Sequence, residues 1–375
     1  MRQIFLFNPE NDLAMACGDK NYTAPPFAQQ LRHDLQLLPA WFAPDGSAVI
    51  CDNAANAQVW LNGHGLNHIE AMQPPLPPLS GECKIEPWGW SHATLHGLKR
   101  DGAADAWMPT ASEVDRLVEL SHRRTSMAIH QAMTEMAGRP LCEAPIEAKS
   151  LDEVNRFACE HGECYVKSPW SSSGRGVYHL LQPGVRDFKQ WCSGIIRRQG
   201  SVMCEKAFDR CLDFAIELRC DGGNSRCSID GYSVFASDFH NQYQYGIVDS
   251  PENLHSRITA LYPQLAQVEQ WVVRAVEAIV APHYTGWLGV DMLLFTKQDG
   301  TVGINPCVEL NLRPTMGLVT AALGKRGMRG RMVIVAPSQL TSAHMPLTPV
   351  TASTKYCAAL IADCPNPDIR QKKIR

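Results

Sequence analysis

Apolar residues in this chain fall into short strand-like runs, separated by polar or proline-rich breaks and by stretches of helical period. The most informative run is GWLGVDMLLFTKQDGTVGINPCVELNLRPTMG, residues 286–317. Two apolar runs are joined there through Asp299-Gly300, a dipeptide that favours hairpin turns. IFLF (Ile4 to Phe7), AVICD (Ala48 to Asp52), the run ending at Lys167, SVMCEKAF (Ser201 to Phe208), DFAIELRC (Asp213 to Cys220), MVIVA and YCAALIA read as further strands. Leu31 to Leu38 is a short helix-like run, and Ser112 to Ala137 is rich in helix formers. Val268, Trp271, Val272, Ala275, Val276 and Ile279 recur at the helical period, so Gln267 to Val280 is expected to cover a sheet. LVTAALGKRG, after Gly317, predicts another helix. MQPPLPPLSGE, residues 72–82, cannot be regular helix, and PWGWS (Pro87 to Ser91) reads as a loop packed onto a lobe. His92 and His96 share one helix face but have no third ligand. The tail after Ile361 is expected to fray.

Several polar residues interrupt these apolar runs. Side chains alternate along a strand, so Glu309, Asn311 and Arg313 are expected on one face, with Asp291 meeting them across the hairpin. Two carboxylates, an amide oxygen and a guanidinium suit a divalent metal with a polyphosphate; the plainer alternative is a buried salt-bridge network. In YVKSPWSSSGRGV, residues 165–177, Lys167 precedes three serines and two glycines, Ser171, Ser172, Ser173, Gly174 and Gly176. Small residues let backbone amides approach phosphate oxygens, and the lysine adds fixed charge. The spacing is neither a Walker A loop nor a dinucleotide fingerprint, and a surface turn is the alternative. SVMCEKAF ends in Glu205-Lys206 and a bend, a place where a strand leaving a domain offers backbone groups to a flat base. Asp213 and Glu217 follow, either as acceptors for ribose hydroxyls or as solvated strand-end charges. Asn8-Pro9-Glu10-Asn11-Asp12 closes the first strand, where open α/β sheets place ligands; a turn with a helix cap is the other reading.

Composition narrows the class. A chain of 375 residues exceeds one compact core, so two or three lobes are expected. A formal charge of −3 gives no support for nucleic-acid binding. No apolar segment reaches membrane-spanning length, and MRQIFLFNPEND is too short and too polar for a signal peptide. The 14 cysteines show no CxxC pair or zinc spacing, and many lie in apolar runs, which fits reduced thiols in a cytoplasmic protein.

Lysine and glycine loop, hinge-like Glu-Lys, strand Asp and final Glu-x-Asn-x-Arg, in that order, resemble the ATP-grasp superfamily over about residues 115–325. The resemblance implies an α/β and α+β fold, with ATP held between two subdomains. It divides the chain into an N-terminal α/β lobe (1–111), ATP-grasp subdomains at 112–204 and 205–330, and a C-terminal extension (331–375). It implies Lys167 on the α/β-phosphates, Ser171 to Gly176 as the mobile phosphate loop, and Glu205, Lys206, Ala207 and Phe208 as the adenine hinge. Asp213 would take the ribose, and Asp291, Glu309 and Asn311 would hold Mg2+, with Arg313 near the transferred phosphoryl. Either Arg123 or Arg124 would supply a further phosphate contact. Gly289 stands where some amide ligases of the superfamily carry arginine, and Asp213 lies one residue further from Glu205 than in the dipeptide ligases. Asn8 and Asn11, with His240, Tyr243 and Tyr245 of SVFASDFHNQYQYG, are the candidates for acceptor contact; an exposed edge strand is the alternative for the latter group. The activity implied is joining of a small-molecule carboxylate to an amine through an acyl-phosphate. A small-molecule kinase and a non-catalytic nucleotide-binding module are the alternatives.

Overall fold

A computed structural model describes residues 1–171, 176–182, 184–222, 225–238 and 242–362. The N-terminal lobe is a parallel sheet ordered β3-β2-β1-β4, from β1 (Arg2–Leu6), β2 (Ala48–Ile50), β3 (Glu70–Met72) and β4 (Cys83–Pro87). Its helices are α1 (Asn11–Cys17), α2 (Pro26–Leu35), α3 (Ala54–Gly63) and α4 (His92–Arg100). A parallel sheet is covered on both faces. Phe5 accordingly packs with Trp41 and Trp88 on one side, while Ile4 and Leu6 pack with Ile85 and Leu98 on the other. Helices α3 and α4 start where the Asn53 and Ser91 side chains accept backbone N–H bonds from Asn56 and Thr94.

Two helices follow, α5 (Ala111–Leu120), opened by a Thr110–Glu113 capping box, and α6 (Arg124–Ala137). Leu117, Ile129 and Met133 bury their side chains in the core under the large C-terminal sheet. Residues 112–137, expected with the first subdomain, therefore pack on the second, because their apolar stripe faces the helix over that sheet.

The small antiparallel sheet is ordered β5-β8-β6-β7, from β5 (Ile146–Ala148), β6 (Cys164–Lys167), β7 (Val177–Leu180) and β8 (Val202–Lys206). Helices α7 (Leu151–His161) and α8 (Arg186–Gln199) cover it through Val154, Phe157, Phe188 and Ile195. Only Ala207 and Phe208 separate β8 from β9 (Asp209–Asp221), which belongs to the large sheet. That sheet adds β10 (Arg226–Ser237), β11 (Tyr243–Val248), β12 (Gly286–Thr296), β13 (Val302–Asn311), β14 (Gly330–Val335), β15 (His344–Pro346) and β16 (Cys357–Ile361). Its order is β13-β12-β9-β10-β11-β14-β16-β15. Helices α9 (Pro251–Leu261), α10 (Leu265–Ile279) and α11 (Met316–Lys325) pack against it, α10 with the apolar face its period predicts. Residues 331–361, expected as an extension, lie largely within this sheet as β14 to β16, since their apolar strands continue its ladder. Among the described residues no helix is long and apolar enough to cross a membrane.

Candidate active site

The large sheet has one apolar and one polar face near its β13 edge. Leu212, Phe214 and Ile216 of β9 and Leu288, Val290 and Met292 of β12 are buried in the core shared with α10. The intervening positions form the other face: Asp213 and Glu217 on β9, Gly289 and Asp291 on β12, Glu309 and Asn311 on β13. Register sets their neighbours. Asp291 lies opposite Glu309, and Gly289 lies between Asn311 and Glu217. Glycine is required at 289 by close approach, since a Cβ there would stand 2.8 Å from Thr315 Cγ2 and 3.0 Å from Glu217 Oε2. An arginine at this position would have no room.

Electrostatics follow from this crowding. Asn311 Nδ2 donates to Asp291 Oδ2 at 3.0 Å. Burial, then the charges of Glu309 and Glu217, push the Asp291 carboxyl well above the usual range. Burial also opposes ionisation of Glu309, but Arg123, then Lys167 and Arg313, outweigh it and hold that carboxyl below its ordinary value.

Arg123 connects this face to the phosphate-loop candidate. Its Nη1 lies 2.9 Å from Glu309 Oε2. Its Nε donates to the Ser168 carbonyl at 3.0 Å, and Nη2 reaches the carbonyl and Oγ of Ser171, each at 3.3 Å. The loop base is held further by Trp170, whose Nε1 donates to the Val118 carbonyl at 3.0 Å. At its far end Gly176 has φ +76°, and a Cβ there would come within 2.7 Å of Ser168 Oγ. Ser171 and Gly176 are thus fixed ends; Ser172, Ser173 and Gly174 lie outside the described residues.

Lys167 leaves β6 beside β8, and its Nζ donates to Glu205 Oε2 at 2.6 Å with both side chains largely buried. At the hinge, Lys206 pairs with Glu143, the Ala207 N–H donates to the Glu163 carbonyl at 2.9 Å, and Phe208 stacks on Phe295 at 4.2 Å between centroids. Asp213 is buried on the cleft face and pairs with Arg210 at 3.3 Å.

From the N-terminal lobe, Asp12 enters the cleft and accepts from Arg313 Nη2 at 3.3 Å. Asn8 and Asn11 stand in the same turn but are turned to their own lobe. Asn8 Nδ2 donates to the Gly89 carbonyl at 2.9 Å and to Thr94 Oγ1 at 3.0 Å; Asn11 Nδ2 donates to the Trp90 carbonyl at 3.3 Å. Asn11 nonetheless lines the cleft together with Asp12, Arg123, Glu309, Asn311 and Arg313.

Not every candidate is gathered here. Arg124 points away, its Nη2 donating to Glu147 at 2.8 Å, so Arg123 alone of the pair reaches the cleft. Tyr243 and Tyr245 are on β11, three strand positions from β12, which is roughly 14 Å at the spacing of sheet strands. Tyr243 donates to the Met332 carbonyl at 3.1 Å, and Arg331 lies over the Tyr245 ring at 5.4 Å. Their alternating, aromatic segment is an interior strand, not an exposed edge, because β14 pairs beyond it. His240 lies outside the described residues. Glu217, which the sequence offers as a ribose acceptor or a solvated strand-end charge, is buried, accepting from Thr315 Oγ1 at 2.8 Å and Ser233 Oγ at 2.9 Å. Burial raises its carboxyl to about 7, against the opposing pull of those two hydroxyls. Its period-two relation to Asp213 was the available signal.

The fold is similar to that of solved structures. N5-carboxyaminoimidazole synthetase from Staphylococcus aureus, complexed with ADP, matches with a TM-score of 0.51 at 12% identity, over 96% of this chain and 93% of that one. Biotin carboxylase from Campylobacter jejuni, in a β-γ-ATP complex, matches with a TM-score of 0.53 at 10% identity, over 96% of this chain and 87% of that one. No protein-family model matches the chain, and no curated protein matches it significantly. The chain has the ATP-grasp fold.

Proposed function

We propose that this protein is an ATP- and magnesium-dependent ligase that activates a substrate carboxylate as an acyl-phosphate for attack by an amine or similar nucleophile. The observation that carries this reading is the convergence of Glu309 and Asn311 with Arg123 and Arg313 in one cleft, with Asp291 directly behind them, opposite Glu309 and bonded by Asn311. Lys167 acts on one of these acids, lowering the Glu309 carboxyl from the small-sheet side. ADP and β-γ-ATP occupy the two similar structures named above. On that basis ATP lies between the small and large sheets, its adenine near Glu205 to Phe208, its ribose near Asp213 and its phosphates near the loop ends Ser171 and Gly176.

The donor set fits magnesium. No three His, Cys, Asp or Glu side chains among the described residues gather as a metal set, so the amide of Asn311 would join the carboxylates of Asp291 and Glu309. Such hard oxygen donors suit an ion that keeps part of its water shell. When bound, the metal supplies positive charge against the phosphates. Two facing acids, the charge of Glu309 raising the carboxyl of Asp291, are otherwise a costly arrangement to bury.

The protein's own groups then act by position and charge. Lys167 and Arg313 neutralise charge developing on the transferred phosphoryl, the main catalytic contribution in phosphoryl transfer. Arg123 keeps Glu309 ionised and ties it to the loop base. A substrate carboxylate oxygen takes the phosphoryl, and the amine then displaces phosphate from the activated carbonyl. No protein nucleophile is needed, and Cys307 on β13 is a poor one, its thiol pushed up by burial. A screen of carboxylic acids crossed with amines, read as ADP release with hydroxylamine as a trap, tests this. ADP release that needs both partners supports the ligase. Release with a hydroxyl acceptor alone shows a kinase, and ATP binding without release under any pairing shows a binding module.

A further inference from the structure

The Asp12–Arg313 ion pair links residues 301 positions apart and joins the N-terminal lobe to the cleft. Both side chains are largely buried, and both line the same cleft as Arg123, Glu309 and Asn311. The location disfavours a carboxylate. Burial raises the Asp12 carboxyl and Glu309 adds to this, while Arg313 and Arg123 pull the other way. The asparagines of the same turn, Asn8 and Asn11, are anchored within the lobe through Gly89, Trp90 and Thr94. Asp12 is therefore the side chain of that turn whose partner belongs to the proposed phosphoryl-transfer machinery. Arg313 cannot give its full charge to an incoming anion while Asp12 holds it, and two anions on one guanidinium repel each other.

We propose that Asp12 is an internal stand-in for the anion that Arg313 receives. It positions the arginine while the cleft is empty, and the γ-phosphoryl of the nucleotide displaces it. The inference rests on the nucleotide-dependent function proposed above and adds a positioning residue to it. Release of Asp12 also removes the contact that ties the start of α1 to Arg313, so occupation of the cleft is felt in the N-terminal lobe.

The test is titration calorimetry of the full chain with MgATP and with MgADP. Asp12→Asn removes the competing charge, so MgATP should bind at least about tenfold more tightly, the lower range for close charge pairs. MgADP, which lacks the γ-phosphoryl, should change little, and adding Arg313→Met to Asp12→Asn should abolish the gain. Unchanged or weaker MgATP binding by a folded Asp12→Asn protein overturns the proposal. Should that variant not fold, hydrogen exchange on the wild type decides. Amides of residues 11–17 should exchange faster with MgATP than with MgADP, and equal exchange again overturns it. A wild type that binds neither nucleotide refutes the functional reading itself, and this inference falls with it.

Discussion

Replacing Glu217 by glutamine isolates the energetic cost of the most deeply buried acid on the cleft face. Glu217 has 1% of its surface exposed, and its carboxyl is raised from the usual 4.5 to about 7. At about 1.4 kcal/mol per pH unit, that displacement corresponds to on the order of 3 kcal/mol. The sign follows from proton counting. Between pH 4.5 and about 7 the folded chain holds a proton that the unfolded chain has released, so stability falls as pH rises. The contribution is complete below pH 4.5 and gone above about 7. A glutamine side chain cannot titrate, and the Thr315 and Ser233 hydroxyls can rotate to accept from its amide or donate to its carbonyl. Denaturant unfolding of both proteins in a metal chelator, from pH 4.5 to 8, should therefore show Glu217→Gln gaining on the wild type by on the order of 3 kcal/mol. Relief of Asp291, which Glu217 also pushes up, adds in the same direction. A stability difference that stays constant across this range would show that Glu217 titrates normally and refute the reasoning.

Lys167→Met should weaken MgATP binding in calorimetry and also destabilise the protein by about 3–5 kcal/mol, because Glu205 is left buried without its partner. Adding Glu205→Gln should restore most of the stability and none of the affinity; recovery of both would make the lysine purely structural. Arg123→Met should lose nucleotide binding, whereas Arg124→Ala, made at a partly exposed pair with Glu147, should leave it nearly unchanged. Gly317→Ala would place a Cβ 2.1 Å from Glu217 Oε1 and 2.3 Å from Ser233 Oγ, so thermal unfolding should report a loss of about 1–3 kcal/mol.

What the sequence determined by itself is whatever rests on neighbours close along the chain. Alternation in 286–311 reveals two strands and the face shared by Asp291, Glu309 and Asn311, because a strand's period is set by its own backbone. The Asp299-Gly300 turn, with Gly300 at φ +79°, and the helix Leu265–Ile279 were legible for the same reason. Other features needed the tertiary structure. Arg123 and Arg124 are adjacent and chemically alike, and only the docking of α6 against β13, where the Leu310 N–H donates to Ser126 Oγ at 2.9 Å, sends one inward and the other to Glu147. Glu217 and the tyrosines of β11 sit in similar apolar strands. Strand order puts Glu217 beside β12 and the tyrosines two strands further away, and order is not written in any one strand's pattern. Asp12 meets Arg313 across nearly the whole chain. A contact of that kind depends on how two separately folded sheets are set against each other, a choice made by the summed packing of both surfaces rather than by either residue's neighbours in sequence.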